Sequence, residues 1–227
     1  MSERLPLFPL RTVLVPGLVL PLTVFEPRYV ALLRDLMALP EEQRAFGVVA
    51  LRSGRDAGTA HDASALHEVG CTAVVREVTE GEDGTLEVVT SGAVRFRLEG
   101  LDEAAGTPYL TGWVSALAEP SGEGVDAAGL AGLAAAVAEG WTTYRESLGI
   151  AAAGLPGGIP AEPAVLSYLV AAGMVLDLPE RQRLLEVPDT ATRLRREKHL
   201  LAREAVLIPA LRSLPAQDLT SVEVSPN

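Results

Sequence analysis

Cysteine and lysine are each present once, as Cys71 and Lys198, and histidine three times, as His61, His67 and His199. A single cysteine forms no intramolecular disulfide, which fits a reducing compartment. A lone lysine excludes a P-loop, which needs a lysine behind its glycines to reach the phosphates. Lys198 follows Glu197 within the charged stretch "RLRREKHL" instead. Neither a G-x-S-x-G nucleophile elbow nor a strand-linked G-x-G-x-x-G is present. His67 and Cys71 fall on one face of an extended segment, but two ligands make a poor metal site, and Cys71 in "GCTAVV" reads as a small buried hydrophobe. No metal, cofactor or catalytic constellation is therefore expected.

Long hydrophobic runs are also missing. Pro, Gly or charge interrupts every apolar stretch short of the ~20 residues that span a bilayer. The N-terminal "MSERLPLFPL" lacks the pattern of a signal peptide. With a net charge of -11, the chain is repelled by phosphate backbones and anionic lipid, so neither nucleic acid nor membrane is an expected partner. These features predict a cytoplasmic globular protein, and 48% hydrophobic with 22% charged residues supplies an ordinary core.

What is present divides in two. The first half is strand-rich. Leu5–Leu10 carries Pro6 and Pro9 and reads as an edge strand or extended arm. Strands follow at 18–25, 46–51, 67–78, 86–90, 94–99 and 109–117, with a loop at 52–65. Val94, Phe96 and Leu98 alternate with Arg95, Arg97 and Glu99, describing a strand with one wet face. Tyr29, Leu32, Leu33 and Leu36 recur at i, i+3, i+4 and i+7, an early amphipathic helix. Six or seven short strands suggest a closed or strongly curved antiparallel sheet.

Composition shifts at Glu119–Gly124, and beyond it the period is helical. Helices are expected at 126–148, at 164–176, from Pro179 to about Val187, and from an N-cap at Asp189 onward. In the last, Leu194, Leu201 and Ile208 form one seven-residue row and Leu200, Leu207 and Leu214 a second, a broad apolar face. The expected organisation is a β-rich unit over 1–119, a linker over 120–125, a helical unit over 126–214 and a flexible tail over 215–227. Six arginines, Arg181, Arg183, Arg193, Arg195, Arg196 and Arg203, make the last helices locally basic. They read as helix-face charges paired with Glu180, Glu186, Glu197 and Glu204, the sharper alternative being a patch for nucleic acid or an acidic partner.

Certain segments carry a resemblance. "LPLFPLRTVLVPGLVLPLTVFEPRYVALLRDL" (5–36), "FGVVAL" (46–51), "EVGCTAVV" (68–75), "SGAVRFRLEG" (91–100) and "LDLPERQRLLEVPDTATRLRREKHLL" (176–201) together resemble the Lon protease N-terminal, substrate-binding domain. The match runs over nearly the whole chain, and "FEPRY" is its most specific part. "TVLVPG" departs from the pattern by lacking the acidic residue often found after the family's first arginine.

The resemblance implies an α+β fold: an N-terminal PUA-like antiparallel β-barrel with one early helix, then a C-terminal α-helical bundle. It also implies a stand-alone, non-catalytic polypeptide-binding module without ATPase or peptidase domains. Its partners would be unfolded or tagged polypeptides, with a Lon-type protease a further candidate. Phe25, Arg28, Tyr29, Tyr109 and Trp113 are the candidate polypeptide contacts. Glu26, Pro27, Arg95 and Phe96 are structural signature positions. PUA-like barrels include RNA-binding modules, so a small-molecule or RNA binder is the alternative. An enzyme built on His67 or the Glu26/Arg28 pair is the third reading. At the corner itself, Pro27 suits a first helical turn, so Glu26 and Arg28 are expected to be structural.

Overall fold

Pro6 and Pro9 do not confine the first segment to an edge. In the computed structural model, which describes residues 2–52, 63–150 and 158–212, strand β1 (Glu3–Leu10) lies between two neighbours. It changes partner midway. Glu3–Pro6 pairs antiparallel with β6 (Thr111–Ala116), and Leu7–Leu10 pairs parallel with β3 (Ala45–Ala50). Each proline thus lies where only one side of the strand is in a ladder, which is the condition under which its missing N–H is tolerated. The expected edge strand is corrected to an internal one.

The remaining strands are β2 (Val19–Val24), β4 (Val69–Glu80) and β5 (Leu86–Leu101), and the order is β2-β5-β4-β3-β1-β6. Strand β5 also pairs with β6, so five strands close into a barrel and β2 attaches outside, to the first half of β5. All pairings are antiparallel except β1–β3. The two strands expected at 86–90 and 94–99 are one strand of 16 residues. Gly92, in the middle, is no turn: the Val15 carbonyl oxygen passes 2.2 Å from where its Cβ would be, so only glycine fits the ladder there.

Helix α1 (Pro27–Met37) packs on the barrel, its buried residues clustering with Phe8, Phe46, Val48, Cys71 and Val88. The stripe of Tyr29, Leu32, Leu33 and Leu36 is wholly buried, each side chain contributing about 1.5–3 kcal/mol by leaving water. A second barrel cluster contains Leu7, Val49, Phe96 and Val114.

The helical part comprises α2 (Ala127–Ser147), α3 (Pro163–Gly173), α4 (Leu178–Glu186) and α5 (Thr190–Arg212). Its starts follow local chemistry. Asp126, Glu162, Asp177 and Asp189 each accept a hydrogen bond from a backbone N–H of the following turn, relieving the helix's orphan donors. Trp141 and Tyr144 of α2 are core residues, packed with Leu166, Met174, Leu194 and Leu201. Of the two leucine rows on α5, Leu194 and Leu201 are buried, whereas Leu200 is half-buried and Leu207 exposed. Leu214 lies outside the described residues, as do the expected tail at 215–227, loop positions 53–62 and loop positions 151–157.

Barrel and helices share a core in which Val13, Val15 and Val69 meet Tyr168 and Leu185. The chain between them is held at the start of α5, where Thr190 and Ala191 donate N–H bonds to the carbonyls of Pro120 and Ser121. No helix among the described residues is long and apolar enough to cross a membrane.

Candidate functional site

Phe25 ends the extended segment after β2 and projects into solvent, 70% exposed. Glu26 takes the N-cap position of α1 in an extended conformation, and Pro27 occupies the first turn as its fixed φ allows. The Glu26 side chain does not cap the helix. It turns to Arg28, whose Nε and a terminal nitrogen both donate to Glu26 Oε2, at 3.0 and 2.7 Å. The Arg28 guanidinium also covers the Tyr29 ring, 4.6 Å from its centroid.

Tyr29 is buried and stacks on Phe8 with ring centroids 3.9 Å apart. Its hydroxyl has no hydrogen-bond partner among the described residues. Burial pushes the phenol pKa up, with Arg28 opposing and Glu26 adding. The structure therefore puts Tyr29 beneath the surface, supporting Arg28.

Arg28 and Tyr109 converge on one cleft of about 220 Å³ bounded by Leu101, Asp102, Thr107 and Pro108. Tyr109 donates its hydroxyl to Asp35 Oδ2 at 2.7 Å, pinning the loop before β6 to α1. Burial, then the hydrogen bond and charge of Asp35, push its pKa up to about 12, so the hydroxyl remains a donor at neutral pH. Trp113, on β6 and 41% exposed, reaches the cleft through Arg4. The Arg4 guanidinium lies 5.7 Å from the Trp113 ring centroid and pairs with Asp102 at 2.5 Å. The cleft thus carries Arg28, Asp102, Glu103 and Tyr109 among its walls, and the exposed aromatics Phe25 and Trp113 lie outside that lining, Phe25 three residues before Arg28 in the chain and Trp113 against Arg4.

The signature positions divide. Phe96 is buried inside the barrel as its alternation predicts. Arg95 corrects the expected wet face. It is 2% exposed, donating to a Glu119 carboxylate oxygen and to the carbonyls of Leu185, Val187 and Ala118, while Val94 is the exposed neighbour. Two residues read as helix-face charges, Arg193 and Glu197, are likewise buried. Arg193 stacks on Tyr168, 3.9 Å from its centroid, and donates to Glu119 Oε2, Ser167 Oγ and the Leu184 carbonyl. Tyr168 donates to the other Glu119 oxygen.

Burial raises the Glu119 pKa, but the bonds from Tyr168 and Arg95 and the two guanidinium charges outweigh it, leaving the carboxyl below its ordinary 4.5. Sequence reasoning missed this junction. Its one visible trace is that Arg95 and Arg193 both fall inside the resemblance segments.

The remaining candidates resolve simply. Cys71 is buried and its pKa is pushed up to about 12 by desolvation, as befits an inert thiol. His67 Nδ1 lies 3.3 Å from Glu186 Oε1. Among the described residues no group of three or more His, Cys, Asp or Glu is placed to hold a metal ion.

Comparison with known proteins matches residues 4–203 to the family model of the ATP-dependent protease La (LON) substrate-binding domain. Lon protease 2 of Myxococcus xanthus is 31% identical over 209 residues, covering 91% of this chain and 24% of that protein. Lon protease 2 of Herpetosiphon aurantiacus is 31% identical over 207 residues, covering 88% and 24%. The chain thus spans about a quarter of the length of these relatives. Among solved structures, a Lon N-terminal domain protein from Xanthomonas campestris superposes with a TM-score of 0.62 at 25% identity, covering 88% of this chain and 98% of that one. The N-terminal domain of a Mycobacterium avium complex Lon protease shares the fold, with a TM-score of 0.62 at 19% identity over 90% of this chain and 98% of that one.

Proposed function

Because this chain belongs to the Lon substrate-binding domain family, we propose that it is a non-catalytic polypeptide-binding module that captures unfolded or tagged segments at the barrel cleft. One observation carries the reading: two large aromatics stand exposed, Phe25 three residues before the cleft residue Arg28 and Trp113 against Arg4, which pairs with the cleft residue Asp102, while Tyr109–Asp35 fixes the loop that walls the cleft. Large aromatics held in water on a rigid frame are what weak, promiscuous capture of apolar segments uses. The polar residues of the cleft supply donors and acceptors for an extended backbone. A Lon-type protease is the partner such a module would serve.

The test is binding of a permanently unfolded protein, such as a reduced and carboxymethylated one, by fluorescence anisotropy, together with suppression of its aggregation. The wild-type chain binds, and the Phe25→Ser/Trp113→Ser variant, assayed well below its own melting temperature, binds at least about tenfold more weakly. A wild-type chain that neither binds nor protects the unfolded protein sinks the reading.

A further inference from the structure

In a chain of net charge -11, the groove between α4 and α5 has the opposite sign. About 470 Å³ in volume, it is rimmed by Arg183, Arg195, Arg196, Arg203 and His199, with Glu180 the one carboxylate among its walls. The floor is apolar, made by Leu184 and the half-buried Leu200. Leu207, seven residues beyond Leu200 on the same helical face, is left exposed.

The negative side chains here are already committed. Arg203 takes Glu180 through both terminal nitrogens, at 2.5 and 3.2 Å, and Glu204 at 2.8 Å. The Arg203 hydrogen bonds, with the charges of Arg203 and Arg183, hold the Glu180 carboxyl below its ordinary pKa against the effect of burial. Arg196 rests on the Arg183 carbonyl. Among the described residues, the guanidinium groups of Arg183 and Arg195 make no hydrogen bond or close ion pair, and both are exposed. Counting Glu204 with the walls, four arginines face two carboxylates. At physiological salt, distant acids fade over about 8 Å, so these local charges govern what the groove attracts.

We propose that this groove is a second binding site, taking a short polypeptide segment that carries carboxylates beside leucine-like side chains. The site rests on the polypeptide-binding reading and adds a class of segment to it. The Arg183 and Arg195 guanidinium forks, whose donors make no hydrogen bond among the described residues, match carboxylates in geometry as well as charge. The leucine floor needs an apolar side chain between them, which a phosphate or free nucleotide lacks. No Phe, Tyr or Trp lines the groove for base stacking. Its volume lies within the range of about 300–1,000 Å³ typical of ligand sites.

The experiment compares a labelled short peptide of glutamates and leucines with its glutamine counterpart, by anisotropy against the full chain. The wild type binds the glutamate peptide about tenfold more tightly than the glutamine one, and added salt erodes the difference. The Arg183→Glu/Arg195→Glu variant loses that preference while keeping its melting curve and its affinity for unfolded protein. Equal affinity of the wild type for both peptides overturns the proposal, as does an undiminished preference in the variant. Tighter binding of a single-stranded oligonucleotide than of the glutamate peptide also overturns it, reassigning the groove to nucleic acid. The Phe25→Ser/Trp113→Ser variant, run in parallel, reports separately on the barrel cleft, so the two readings fail independently.

Discussion

The guanidinium groups of Arg95, from the barrel, and Arg193, from the last helix, meet on opposite oxygens of one carboxylate, that of Glu119. Both arginines are out of water, at 2% and 0% exposure, so each depends on that carboxylate and on the carbonyls around it. Taking the charge from Glu119 leaves two buried cations facing a neutral amide. Glu119→Gln is expected to cost about 3 kcal/mol, the low end for a broken buried pair, because the Glu119 side chain itself is about a third exposed. Urea unfolding measures this, and a loss below about 1 kcal/mol would show that the carbonyls alone satisfy the arginines.

Two carboxyls give the stability curve opposite slopes. Glu119 has a lowered pKa, so its stabilisation is present above 4.5 and is lost as pH falls through the folded value. Glu197 is buried with both oxygens unpaired among the described residues, and desolvation raises its pKa well above 4.5, with Arg193 opposing. Between 4.5 and its raised folded value it holds a proton that the unfolded chain releases, so stability falls as pH rises through that window. Unfolding free energies measured from mildly acid to neutral pH are expected to decline in the wild type and to flatten in Glu197→Gln. Parallel curves for the two proteins would remove Glu197 from the account.

What was legible in the sequence is what local chemistry decides. The Asp189 cap, the α1 stripe and the order of strands before helices need only neighbouring residues. The junction was not legible, because its bonds to Glu119 span 24 residues from Arg95, 49 from Tyr168 and 74 from Arg193. Arg95 in an alternating strand resembles any solvated arginine until α4 is packed over it. Pro6 and Pro9 misled for a related reason: a proline rule judges a whole strand, whereas β1 changes partner halfway. At the cleft, the corner "FEPRY" was legible, but the roles of its two aromatics depend on Phe8 stacking on Tyr29 and leaving Phe25 outside.

Glycines at 47 and 70 make room for the Phe96 ring, and they are expected to differ on substitution. A Cβ on Gly47 would meet only side chains, Leu7, Phe96 and Leu5, at 2.8 to 2.9 Å. On Gly70 it would meet Phe96 Cζ and the Val48 carbonyl oxygen, both at 2.5 Å. Each alanine costs about 1–3 kcal/mol by overpacking. Adding Phe96→Leu recovers part of the loss at Gly47→Ala and little at Gly70→Ala, since the backbone oxygen stays. A double-mutant cycle in urea checks this, and equal recovery at both positions contradicts it.

Arg28 separates support from contact at the corner. It covers the buried Tyr29 ring and pairs with Glu26, so Arg28→Ala removes a partly buried cation–π contact and an ion pair. The expected loss is about 1 kcal/mol, which lowers the melting temperature of a chain this size by about 2–4 °C. Phe25→Ser touches no such contact and leaves melting unchanged while weakening capture of unfolded protein. Thermal melts and anisotropy on the two single variants decide the assignment. If Arg28→Ala melts like the wild type yet loses binding, Arg28 is a direct polypeptide contact and the corner is part of the site itself.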